Sequence, residues 1–267
     1  MKCLGYYDYH IHSTVSFDAL SGLYDACRVA AQKGMAGLTF TEHWEEDYEG
    51  RQELVDIPSY QKQIEQARAA FPTLEIGMGL EFGLLRAPMA KKSQGLQLVE
   101  WDFVLGACHN IDGINVSKGH YCHGKERQAA YRGYIQELCS FVQSSPHFDV
   151  LAHLDLVRRC PNYENRSLAY PEFADELDAL LRLVIERGSG IEINTAARRY
   201  GLGGPQPDIS ILKRYRELGG EIVTVGSDSH SLQTVGYDME SGYALLRAAG
   251  FRYVSLFRKR KCIQATL

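Results

Sequence analysis

His10 and His12 stand two residues apart in Tyr7-Asp8-Tyr9-His10-Ile11-His12-Ser13. A β-strand sends residues i and i+2 to one face, so the two imidazoles form a claw for a transition metal. Metal-binding residue types recur farther along the chain. Thr41-Glu42-His43, Gly79-Leu80-Glu81, Ala107-Cys108-His109, Leu151-Ala152-His153 and Ser227-Asp228-Ser229-His230 each close or follow a short apolar run. With Asp18 from the loop after the first pair, the candidate ligands are His10, His12, Asp18, His43, Glu81, His109, His153, Asp228 and His230.

A mixed imidazole and carboxylate set suits Zn, Mn or Fe better than Mg or Ca, which prefer oxygen alone. Catalytic ions keep positions open for water and substrate, so nine ligands serve two or three ions. Taken singly, His43 fits a capping or hydrogen-bonded role and Asp18 an ordinary turn or N-cap. Glu81 is harder to explain that way, because a carboxylate leaving an apolar strand for the interior is costly unless paired or metal-bound. Asp228 and His230 repeat the i, i+2 spacing of the opening pair. His120, His123 and His147 read as surface residues, with a lid over the site as the alternative for His120 and His123.

The elements that carry these residues alternate between strand-like and helical patterns. Strands are expected at about Tyr6 to His10, Leu38 to Thr41, Glu75 to Leu80, Phe103 to Ala107, Asp149 to Ala152, Gly190 to Asn194 and Glu221 to Val225, with Tyr253 to Phe257 closing the series. Helices are expected between them, beginning with Gly22 to Lys33, where Leu23, Ala26, Cys27 and Ala30 fall at helical spacing and Gly34 is a stop. Seven or eight βα units in one domain over residues 1–267 point to a TIM-like barrel. No glycine-rich dinucleotide fingerprint follows the first strand. Barrel enzymes keep their chemistry at the carboxyl ends of the strands, where every candidate ligand lies.

Composition narrows the function classes. The 267 residues are 45% hydrophobic, ample for a sizeable core. A net charge of −4 and a pI near 6.1 argue against broad nucleic-acid binding and leave room for local basic pockets at Arg158-Arg159 and Arg198-Arg199. The basic run Arg258-Lys259-Arg260-Lys261 reads as a solvated tail. Seven cysteines (Cys3, Cys27, Cys108, Cys122, Cys139, Cys160 and Cys262) without a Cys-x-x-Cys pair read as reduced thiols in a cytoplasmic protein. The first residues lack a secretory apolar region, and no run approaches the length of a membrane span.

The ordered set His-x-His, Thr-Glu-His, Gly-x-Glu, two strand-end histidines and Asp-x-His, running from His10 to His230, resembles the polymerase-and-histidinol-phosphatase (PHP) superfamily. The resemblance implies a distorted (β/α)7 barrel with a two- or three-metal phosphoesterase site. It assigns His10, His12, Glu81 and Asp228 to one metal, Glu81, His109 and His153 to a second, and Asp18, His43 and His230 to a third. Glu192-Ile193-Asn194-Thr195 with Arg198-Arg199, and Gly226-Ser227-Asp228-Ser229-His230 with Val235-Gly236-Tyr237, are similar to the branch that acts on L-histidinol phosphate. The implied activity is hydrolysis of that small-molecule ester in histidine biosynthesis.

The chemistry follows from charge. A phosphate ester is a dianion that repels hydroxide, and bridged metals both bind it and supply hydroxide near neutral pH. A hydroxide between two metals is expected to attack phosphorus, with Asp228 or a strand-end histidine such as His230 assisting proton transfer to the leaving alkoxide. Arginine forks match phosphate oxygens, so Arg158 and Arg199 are the favoured substrate-binding residues, with Lys118 ranked below them. A nucleotide, sugar or phosphotyrosine ester is the alternative substrate class, and a noncatalytic metal-binding module the alternative function.

Overall fold

The computed structural model describes residues 5–84, 96–97 and 99–267. Among them, seven parallel strands form one sheet in sequence order. They are β1 (Tyr7–Ile11), β2 (Gly37–Tyr48), β3 (Glu75–Gly83), β4 (Phe103–Ala107), β5 (Val150–Leu151), β6 (Gly190–Asn194) and β7 (Val223–Gly226). Each strand pairs in parallel with the next. The sheet then curls back on itself: Asp228 N donates to His10 O and His12 N to Ser229 O, each at 2.8 Å. These bonds nearly close a barrel, as the (β/α)7 expectation requires.

Helices cover the outside. They are α1 (Leu23–Gln32), α2 (Ile57–Ala70), α3 (Arg127–Ser144), α4 (Ala174–Glu186), α5 (Ile209–Glu217) and α6 (Met239–Ala248). The four apolar residues of α1 picked out by spacing, Leu23, Ala26, Cys27 and Ala30, are its buried ones. Asp56 caps α2 by accepting from Ser59 N, and Asp208 caps α5 by accepting from Ser210 N at 2.9 Å. Strands sandwiched between the helices and the barrel interior are buried on both faces, as in β4 and β6, where every residue is buried. No described helix is long and apolar enough to cross a membrane.

Two expectations need correction. The segment from Tyr253 is not an eighth barrel strand. It forms β8 (Tyr253–Arg258), antiparallel to β9 (Lys261–Thr266), outside the barrel sheet. The basic run is accordingly a hairpin tip rather than a tail. Its Arg258 pairs with Glu75 at 2.9 Å and Arg260 with Asp149 at 2.6 Å, acids at the amino ends of β3 and β5. Phe257 packs on Phe103 at a ring separation of 5.0 Å, and its N–H donates to Tyr9 Oη at 2.7 Å. The hairpin thus plugs the end of the barrel opposite the ligand-bearing rim.

The cysteines are not all reduced thiols. Cys122 and Cys160 are joined by a disulfide, whereas Cys27, Cys108, Cys139 and Cys262 are free. Cys3 lies outside the described residues. The spacing of 38 residues carries no local motif, so only the fold shows that these two loops meet.

Candidate metal centre

All nine candidate ligands gather at the carboxyl rim of the strands. His10 is the fourth residue of β1, and His12 follows its end. Their Nε2 atoms are 3.1 Å apart. His10 Nδ1 meets Glu192 Oε1 on β6 at 2.6 Å, and His12 Nδ1 meets Ser16 Oγ at 3.3 Å. Because Glu192 only accepts and Ser16 Oγ donates its own proton to Glu42, both Nδ1 atoms are the donors. Once both rings are neutral, as metal binding requires, the two Nε2 lone pairs point at one position, which is a place for a cation.

Glu81 occupies the centre. One oxygen lies 3.0 Å from His153 Nε2 and 3.3 Å from His109 Nε2. The other lies 3.3 Å from His10 Nε2, 3.4 Å from His12 Nε2 and 3.1 Å from His43 Nδ1. Despite the 3.1 Å between them, Oε2 of Glu81 and Nδ1 of His43 make no hydrogen bond of acceptable geometry. Buried polar atoms left in that condition are unfavourable, and a coordinated metal ion would satisfy them. Ligand atoms within 4.8 Å of one another form four overlapping groups: His10, His12 and Glu81; Glu81, His109 and His153; His12, His43 and His230; and His43, Glu45 and His109. The donor set therefore fits divalent metal ions.

The remaining ligands complete the rim. Asp18 Oδ2 sits 3.5 Å from His43 Nε2 and 3.4 Å from His230 Nε2. Asp228 Oδ1 lies 3.7 Å from His10 Nε2. Asp228 takes φ of 52°, the left-handed region that aspartate tolerates better than most residues, and this aims its side chain across the mouth of the barrel. Gly226 makes room for the pair behind it. A Cβ there would stand 2.3 Å from His10 Cβ and 2.5 Å from Glu192 Oε1.

Electrostatics reflect this crowding. Burial opposes a charged His10, but the carboxylates of Glu192, Glu81 and Asp228 outweigh it and raise its pKa well above the ordinary value. His43 is likewise disfavoured by burial and yet pushed up to about 10 by Glu81 and Asp18. His12 goes the other way: burial, then the neighbouring His230 and His43, hold it well below. For Glu81 burial favours the neutral acid, but His10, His109 and His43 hold it firmly ionised.

The polar residues around the ligands differ in part from the sequence reading. That reading favours Arg158, but Arg158 turns into the fold, donating to Asp155 Oδ2 at 3.0 Å and to the carbonyls of Arg166 and Leu202. Its neighbour Arg159 lines the cleft instead. It donates to Asp228 Oδ2 at 2.7 Å, its guanidinium lies 4.0 Å from the Tyr200 ring centre, and its buried Nε has no partner. Arg199 donates to the carbonyls of Ser227 and Asp228 at 3.0 and 2.7 Å, so it braces the loop that carries Asp228. Lys118 pairs with Glu49 at 2.8 Å, beside the cleft rather than in its lining. His120, His123 and His147 are exposed, in keeping with their reading as surface residues.

Three buried carboxylates behind the ligands escape a reading based on strand ends. Glu192 binds His10 Nδ1 and, through Oε2, accepts His153 N at 2.8 Å. Glu45 accepts from His109 Nδ1 at 2.5 Å. Glu42 accepts from the hydroxyls of Ser13 and Ser16, and burial pushes its pKa up to about 7. The signal was available for two of them, since Glu42 and Glu192 interrupt apolar strands as Glu81 does. The cleft itself measures about 110 Å³ and is lined by seven of the candidate ligands with Tyr48, Ser117, Arg159 and Tyr200. Larger hollows of about 410 and 460 Å³ lie elsewhere, without any of these ligand groups.

Fold and site together define a barrel hydrolase of the metal-dependent kind. The chain belongs to the PHP domain family, whose model matches residues 8–196. It is 29% identical over 258 residues to a probable histidinol-phosphatase of Clostridium acetobutylicum, covering 95% of this chain and 97% of that relative. It is 27% identical over 259 residues to a histidinol-phosphatase of Lactococcus lactis subsp. lactis, covering 95% of each. The crystal structure of histidinol phosphate phosphatase from Lactococcus lactis subsp. lactis, complexed with zinc, L-histidinol and phosphate, superposes with a TM-score of 0.88 at 26% identity. That match covers 98% of this chain and 100% of the other.

Proposed function

We propose that this protein is a metal-dependent phosphatase that hydrolyses L-histidinol phosphate to L-histidinol and phosphate, a step of histidine biosynthesis. One observation carries the reading: a buried arginine with an unpartnered Nε, Arg159, stands over a ring of metal ligands. That is the pairing of charges a phosphate dianion needs. The substrate is supported by the similarity to histidinol-phosphatases over nearly the whole of each chain.

Two or three zinc, manganese or iron ions suit the donors. His10, His12, Glu81 and Asp228 would hold one, Glu81, His109 and His153 a second, and Asp18, His43 and His230 a third. Bound there, such ions supply positive charge to the ester and make water more acidic. The protein's own groups do the rest. Arg159 takes phosphate oxygens, and Asp228 sets the direction of its fork. Burial favours a neutral Asp228, but His10 and Arg159 keep it ionised, so it is poorly suited to donate a proton. In a two-ion form His230, with 31% of its side chain exposed, is the imidazole best placed to pass one to the leaving alkoxide. The reading keeps a cytoplasmic setting and a small-molecule ester as partner.

The test is release of phosphate from L-histidinol phosphate by metal-loaded protein. Turnover that stops with a chelator and returns with added metal supports the proposal, and no release under any metal contradicts it.

A further inference from the structure

The loop after β4 carries His109 and Ser117, and the loop after β5 carries His153 and Arg159. Both face the cleft. The Cys122–Cys160 disulfide joins these loops, and Cys160 directly follows Arg159. We propose that this disulfide is a positioning element for Arg159, so that phosphate binding at the cleft depends on the thiol–disulfide state of Cys122 and Cys160. The proposal rests on the phosphate-binding role assigned to Arg159 above.

The geometry around Arg159 supports it. The turn Leu156–Arg159 is held at its start by Leu156 N donating to His153 O at 2.8 Å, and Arg158 is anchored to Asp155. At its end the turn has the backbone bond from Cys160 N to Val157 O at 3.1 Å, the contact of Cys160 Sγ with Val116 O at 3.9 Å, and the disulfide. Arg159 thus sits between an ion-paired residue before it and a covalently tied one after it. The opposing loop is fitted closely to this point: Gly119, at φ of 80°, would place a Cβ 2.5 Å from Pro161 Cδ. Breaking the S–S bond leaves these contacts but removes the one covalent tie across them. A guanidinium that must meet both Asp228 and a phosphate oxygen tolerates little displacement.

Reduction is ordinary exchange. A small dithiol attacks one sulfur to form a mixed disulfide, and its second thiolate then closes a ring disulfide on the reductant. Two electrons and two protons pass to the protein, leaving two free thiols. In reducing compartments disulfides are rare, and those that form are usually transient and catalytic or redox-sensing.

Steady-state kinetics on the metal-loaded full chain, oxidised and then dithiol-treated, test the proposal, with inorganic phosphate as a competing probe. The expected result is a loss on the order of fivefold to tenfold in kcat/KM. It is carried by KM, matched by weaker inhibition by phosphate, and restored on reoxidation. The double variant Cys122→Ser with Cys160→Ser should show the reduced values and ignore the dithiol, which separates exchange from metal stripping. An unchanged KM on reduction, or peptide mapping that finds no Cys122–Cys160 bond in the oxidised protein, overturns the inference while leaving the phosphatase reading intact. An Arg159→Ala variant with unaltered KM and phosphate inhibition overturns instead the role of Arg159 on which it rests, and the inference with it.

Discussion

His10 and His12 point their Nε2 atoms at each other across 3.1 Å while Glu192 and Ser16 hold the opposite nitrogens. Two ring nitrogens fixed in this way are suited to ligate a metal, because their partners fix the tautomer. Glu192 is the stronger of those partners, a buried carboxylate 2.6 Å from its ring nitrogen against 3.3 Å for the Ser16 hydroxyl.

Glu192→Ala is therefore expected to lower metal affinity by about 10- to 100-fold, the usual effect of removing a ligand's hydrogen-bonded partner. Glu45→Ala should act in the same direction through His109. Metal content after dialysis against a weak chelator measures both, and retention equal to the parent protein would show that these carboxylates do not orient the rings.

Metal uptake should release protons. Carboxylates raise the pKa of His10 and His109 well above the ordinary value, and that of His43 to about 10, although burial opposes each charge. At pH 7 the metal-free rings thus hold protons that a ligand must lose, so affinity rises as pH rises toward those values. Calorimetric titration in two buffers of different ionisation enthalpy should give different apparent heats. Identical heats would mean that the rings are already neutral.

Arg158 and Arg159 should part company on substitution. Arg159→Ala is expected to raise KM by about 10- to 100-fold through loss of charge-assisted bonds to phosphate, with a smaller loss of melting temperature than Arg158→Ala because His10 still faces the Asp228 carboxylate. Arg158→Ala should instead destabilise by about 3–5 kcal/mol, because it strands the buried Asp155 carboxylate. Thermal melts and kinetics on both variants decide this, and the opposite pattern would restore the sequence preference for Arg158.

Arg260→Ala tests the far end of the barrel. Asp149 is buried, accepts from Val104 N at 2.8 Å and relies on Arg260 for its charge partner. Losing that partner should lower stability by about 1–3 kcal/mol while kcat/KM stays unchanged. A fall in kcat/KM with no loss of stability would tie the hairpin to the chemistry.

Most of the barrel was legible in the sequence, and so was the gathering of the nine candidate side chains at one rim, because a parallel strand announces itself by an apolar run and these histidines and carboxylates mark where each run ends. The pairing of β8 was not, since a strand pattern does not say which sheet receives it. Arg159 was hidden by its neighbour: adjacent residues in a tight turn point in different directions, and only the Asp155 contact shows which way Arg158 faces. The disulfide was hidden for a similar reason, as Cys122 and Cys160 meet through two loops rather than a local motif.

A side-by-side kcat/KM panel on defined metals reads substrate choice by the metal-loaded site. L-histidinol phosphate should be hydrolysed far faster than nucleotide, sugar or phosphotyrosine esters, and His12→Ala and Glu81→Ala should lose bound metal and turnover together. Equal or reversed rates across the panel, or full activity in either variant, would contradict the proposed function.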